Sequence, residues 1–88
     1  MPYIPREERI ELDALIDELI SKLKTAPTER LDGRLNYVIS RLLNGLYQPS
    51  YFQYNRAVGV LASVMMEFYR RRVAPYEDRK ITEHGDIM

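Results

Sequence analysis

Residues 50–73, SYFQYNRAVGVLASVMMEFYRRRV, read as one long helix with more apolar surface than a helix on the outside of a protein carries. At about 100° per residue, Tyr54, Val58, Leu61, Met65, Phe68 and Tyr69 share one face, with Ala57, Ala62, Val64 and Met66 on its flanks. Only Arg56, Ser63, Glu67 and Arg70 are left as a strip for water. A helix apolar over most of its circumference is normally covered on more than one side. The spacing therefore predicts a central helix with Val58, Leu61, Met65 and Phe68 nearly inaccessible.

The rest of the chain is short. Its 88 residues make one domain, spanning 1–88, near the size at which a single core is marginal and a second subunit supplies missing burial. Thirteen basic against thirteen acidic side chains leave no net field to draw the protein to nucleic acid or to an anionic membrane. With no cysteine, disulfides and thiolate metal sites are excluded. The start MPYIPREER lacks the basic-then-apolar pattern of a signal peptide, and no apolar run reaches the roughly 20 residues of a membrane span. A cytoplasmic protein without a bound cofactor is the expectation.

In chain order, Tyr3 and Ile4 form an apolar arm expected to lie against the body. Pro5 suits the first turn of a helix, Glu7, Glu8 and Glu11 sit at its positive end, and Lys22 and Lys24 sit at its negative end. Leu12, Leu15, Ile16, Leu19, Ile20 and Leu23 make its stripe, giving a first helix over about residues 5–24, with Ile10 off the stripe as a hint of a second contact surface. After the turn at 25–28, Thr28 or Asp32 offers a cap for a second helix. Asp32 is preferred, because the apolar period Leu35, Val38, Ile39, Leu42, Leu43 and Leu46 begins only beyond it. Gly45 is a plausible terminator. Ser50 with Gln53 reads as a capping box opening the central helix.

Proline removes an N–H and crowds the preceding turn, so the central helix is predicted to stop or kink at Pro75. A short fourth helix follows, with Glu77 and Asp78 in its first turn and Gly85 closing it. No repeat and no alternating strand pattern occurs. The fold class is all-α: a small helical bundle of three main helices plus a short C-terminal helix after the Pro break.

The run Leu35-Asn36-Tyr37-Val38-Ile39, the pair Tyr54-Asn55 followed by Gly59-Val60-Leu61, the block Glu67-Phe68-Tyr69-Arg70-Arg71, then Pro75-Tyr76-Glu77-Asp78 and Gly85-Asp86 together resemble a family of small uncharacterised proteins of bacteria, archaea and phages. The resemblance covers nearly the whole chain. It implies a helical fold and assigns no activity, so it brings no catalytic residue.

Candidate binding residues come from polar groups on apolar faces. Asn55 lies one turn before Gly59, where a missing side chain admits a close neighbour, and Asn36 is positioned to face it. The two amides are either a register-fixing pair or ligand-binding groups. Tyr37, Tyr54, Tyr69 and Tyr76 have the character of core residues with hydroxyls at the rim, more than of catalytic acids. Arg70, Arg71 and Arg72 point about 100° apart, so they form no flat phosphate-binding face. Ion pairs are expected instead, from Glu67 to Arg71 at i,i+4 and from the arginines to Glu77, Asp78 or the acidic first helix. Tyr76 is expected to anchor a docked tail.

One enzymatic pattern competes. Helical MazG-like nucleotide pyrophosphohydrolases hold magnesium with carboxylates spaced EExxE and ExxD, since hard Mg²⁺ requires several oxygens on adjoining turns. Glu7-Glu8-Arg9-Ile10-Glu11 and Glu83-His84-Gly85-Asp86 carry both spacings. They lie at opposite ends of the chain, and Gly85 interrupts the second group. His84, the one histidine, reads as a helix-dipole partner. The favoured expectation is therefore a non-enzymatic interaction module, a symmetric homodimer with room for a further protein partner. The magnesium-dependent hydrolase is the alternative, which clustering of the five acids Glu7, Glu8, Glu11, Glu83 and Asp86 would favour.

Overall fold

The computed structural model describes residues 2–88. The chain is mostly helical, with α1 (Arg6–Leu23), α2 (Thr28–Leu46), α3 (Tyr51–Phe68), a π-helical turn (Tyr69–Val73) and α4 (Ala74–His84), and no strand occurs among the described residues. The all-α class, with three main helices and a short C-terminal one, is as the periodicity predicts. None of the helices among the described residues is long and apolar enough to cross a membrane.

Local chemistry sets the helix ends. Pro5 stands at the N-cap of α1, and its carbonyl accepts the N–H groups of Glu8 and Arg9 at 3.1 and 3.2 Å. α2 begins four residues before the predicted Asp32 cap. Pro27 occupies its N-cap with no side-chain cap, and the Pro27 carbonyl accepts from Arg30 at 2.9 Å. The fixed φ of proline already sets the entry, so helix formation does not wait for the apolar period. Gly45 does not end α2. Helical geometry continues through Leu46, and Tyr47 turns the chain to extended backbone while its N–H donates to Leu43. At α3 the Ser50 hydroxyl accepts from the Gln53 N–H at 3.0 Å, as a capping serine does. The Gln53 side chain reaches back to the N–H of Gln48, at 2.9 Å, and so ties down the α2–α3 connection.

The break predicted at Pro75 takes the form of the π turn. Proline has no N–H to aim at the Arg71 carbonyl, and its ring crowds that carbonyl. The backbone widens, the Ala74 N–H bonds to the carbonyl of Tyr69, and Pro75 falls within the first turn of α4, where a missing N–H is harmless. Residues 51–84 consequently run as one helical rod without a loop. The longest dimension of the molecule, 47 Å, is close to the roughly 50 Å of such a rod at 1.5 Å per residue. Gly85 closes α4 at φ +94°, a conformation open to glycine and costly for other residues.

Packing within the chain is open. α1 lies on α2, the π turn joins α3 to α4, and these are the substantial contacts between elements. The predicted core does not form within one chain. Among the described residues Ala57 alone is buried, at 8% exposure, whereas Val58, Met65 and Phe68 are 65%, 67% and 63% exposed and Leu61 is 37%. The physical reason is supply. A helix apolar on most sides needs neighbours on most sides, and α4 extends away along the rod instead of folding back. The radius of gyration is 16.7 Å, against about 12 Å for a compact chain of this length.

The same extension corrects the docked tail. Tyr76 is half exposed, and Glu77 and Asp78 are exposed on α4 without an ion pair to Arg70, Arg71 or Arg72 among the described residues. The π turn carries them onward from the arginines. Tyr76 lies instead beneath the heads of Arg79 and Lys80, 5.8 and 5.4 Å from its ring centre, on its own helix.

Candidate interaction surface

The N-terminal arm crosses one side of α3, as its apolar character predicts. Tyr3 donates a hydrogen bond of 2.5 Å from its hydroxyl to Oε1 of Glu67, and the same hydroxyl accepts from Arg71 Nη1 at 3.2 Å. Arg70 Nη2 donates to that Glu67 oxygen at 2.6 Å. Arg9 Nε closes the base of the arm on the Ile4 carbonyl at 2.9 Å. The hydrogen bond from Tyr3, reinforced by the guanidinium of Arg70 and the more distant Arg71, holds the Glu67 carboxyl below the usual carboxylate range. A groove of about 340 Å³ lies beside this latch, lined by Pro2, Tyr3, Val64, Glu67, Phe68, Arg71 and Arg72.

The pairing at Glu67 differs from the expected one. Arg70 at i+3 takes the carboxylate, and Arg71 at i+4 goes to the tyrosine hydroxyl. The arm supplies an acceptor that lies 68 residues from Arg71, and no helical spacing records it. The two sequence signals were present separately: an apolar arm carrying a hydroxyl, and a lone glutamate in the polar strip of the central helix.

The remaining candidate residues stay apart. Asn36 accepts from the Ser40 hydroxyl at 3.2 Å on its own helix, and Asn55 is exposed on α3, so the amide pair is not formed within the chain. Tyr37 borders a second groove, of about 570 Å³, between α1 and α2, with Arg41 Nη1 donating to its hydroxyl at 3.0 Å. Tyr69 opens the π turn and is exposed. Arg56, assigned to the water strip, stands 5.9 Å from the ring centres of both Tyr47 and Phe52, shielding the α2–α3 connection.

The five acids of the alternative reading are dispersed. Glu7, Glu8 and Glu11 are exposed on α1, Glu83 pairs with Lys80 at 3.2 Å and lies 3.7 Å from His84, and Asp86 follows Gly85. Among the described residues no three acidic or histidine side chains come within reach of one cation.

The opposite side of α3 is open. Tyr51, Tyr54, Val58, Met65 and Tyr69 are all exposed there, with Tyr51 at 84%. Together with the half-open stripes of α1 and α2, this side raises the accessible surface of the chain to 8282 Å². A compact monomer of this size exposes about 5,400 Å².

No curated protein and no solved structure matches the chain. A family model, Domain of unknown function (DUF6899), matches residues 1–87, and the chain belongs to that family.

Proposed function

We propose that this chain is a small helical interaction module that acts as a homo-oligomer, with the dimer as its basic unit. The observation that supports it is the uncovered apolar surface of an otherwise fully helical chain. A surplus of about 2,900 Å² per chain over a compact monomer is more than the roughly 1,000–2,500 Å² that each partner of an obligate homodimer buries, so the chain has surface enough for such an interface. Contiguous apolar patches of more than a few hundred Å² mark association sites in soluble proteins. Cytoplasmic residence belongs to the same proposal. A magnesium-dependent hydrolase needs several carboxylates on one cation, and one chain keeps Glu7, Glu8 and Glu11 far from Glu83 and Asp86 in sequence and ungathered in space.

Mass in solution tests the reading. Sedimentation equilibrium at tens of micromolar is expected to give a dimer or a multiple of it. A single species of monomer mass contradicts the proposal. A thermal-shift screen with nucleotides and divalent metals, run on the same sample, is expected to give no stabilisation that requires both together.

A further inference from the structure

We infer that the bare side of α3 is covered by the same side of α3 from a second copy, in an antiparallel, two-fold pairing centred near Val60. This rests on the homo-oligomeric reading and adds to it the face, the direction and the register.

The two sides of α3 are differently furnished. Val60, Val64, Glu67 and Phe68 line grooves that the chain's own arm borders through Pro2 and Tyr3. Tyr51, Tyr54, Val58, Met65 and Tyr69 line none of the grooves that the arm shares, and all are exposed. The arm is fastened to one side by Tyr3, and the other side carries no such strap among the described residues.

That the neighbour is a second copy follows from area and pattern. The surplus of about 2,900 Å² is carried by every copy over all its helices, and a two-fold interface reduces it on both at once, by about 800 Å² each for an interface of standard size. A two-fold face must also complement itself when reversed. Tyr51, Tyr54, Val58, Ala62, Met65 and Tyr69 follow at steps of three or four residues and read nearly alike in both directions about residue 60. Reversal sets Tyr51 opposite Tyr69 of the partner subunit, Tyr54 opposite the partner's Met65, and Val58 opposite the partner's Ala62. Large groups thus meet at the ends, an aromatic ring meets a thioether, and the smaller pair lies at the centre where the axes approach most closely.

Charge fixes the direction. A parallel pairing brings Arg70, Arg71 and Arg72 of both copies to one end, where like charges repel. The antiparallel pairing separates the two clusters by about 27 Å, the length of α3, and opposes the helix dipoles.

Cysteine cross-linking tests this, because the chain has no cysteine of its own. Copies carrying Tyr51→Cys are mixed with copies carrying Tyr69→Cys and oxidised mildly, with His84→Cys as a control for chance collision. The expected result is a disulfide-linked heterodimer formed about a hundredfold faster than in the control, as millimolar effective concentration predicts, and little product from either variant alone. Efficient linkage of each variant with itself shows a parallel pair and overturns the inference. Dimer mass with linkage no better than the control shows that another face is used; the inference then fails while the homo-oligomer stands. Monomer mass removes both. Should the variants lose helical circular dichroism, methyl NMR of the unaltered chain decides instead. The Met65 methyl is expected to shift on dilution to monomer while that of the exposed terminal Met88 does not, and an unmoved Met65 overturns the pairing.

Discussion

The two sides of α3 meet opposite fates within one chain. One side carries Val64, Glu67 and Phe68 and is crossed by the chain's own arm, which Tyr3 fastens to Glu67 and Arg71. The other carries Tyr51, Val58 and Met65, which are exposed and have no such strap among the described residues. The difference shows what an 88-residue chain can complete alone. A polar latch with an apolar ring needs one short strap, whereas a wide apolar face needs a second helix of comparable length, and α4 is directed elsewhere by the π turn.

Changes on the bare side break that comparison most severely. Val58→Asp sets a charge at the proposed dyad and is expected to weaken association by about 3 kcal/mol or more, at least a hundredfold in dissociation constant. Sedimentation equilibrium reads the loss, and an unchanged dimer mass means that the face is not an interface. On the strapped side, Tyr3→Ala removes a half-buried ring and the latch, and is expected to lower stability on the order of 1–2 kcal/mol without changing mass. A chemical denaturation midpoint equal to that of the parent contradicts the strap.

The latch also carries a pH signature. Because folding holds the Glu67 carboxyl below its ordinary range, its contribution is present in full above that range and is lost as pH falls through it and then through the lower folded value. The melting-temperature gap between the parent and Glu67→Gln is therefore expected to narrow between pH 7 and about pH 3. A gap independent of pH contradicts the charge-assisted latch. The smallest effect is expected at the end of the rod. Gly85→Ala places a side chain at φ +94°, but only exposed chain follows, so the last turn frays and the loss stays below about 1 kcal/mol. A larger fall in the melt means that α4 is held by a partner.

Legibility in the sequence followed locality. The Ser50 cap and the Gly85 terminator were readable because each acts within a few residues of itself. The all-α class was readable because periodicity sums over whole helices. Asp32 was misjudged as a start, since Pro27 sets the backbone earlier than any apolar repeat reveals. Pro75 was readable as a disruption but not as a π turn, because the same clash is relieved by a kink, a stop or a widened turn. Of the candidate residues, Arg70 meets Glu67 at the local i,i+3 spacing, whereas Arg71 joins the latch through Tyr3, a contact between the two ends of the chain that no spacing encodes. The exposure of Val58 and Met65 was misread for a different reason: amphipathicity records that a face is to be covered, not whether the cover belongs to the same chain.

The central claim is that a second copy completes the core, and the concentration dependence of the thermal melt tests it most directly. If folding and association are coupled, raising the protein from about 1 to about 100 µM raises the melting temperature by about 5–10 °C, with a single cooperative transition at each concentration. A cooperative melt at one fixed temperature across those two decades, from a species of monomer mass, contradicts the account.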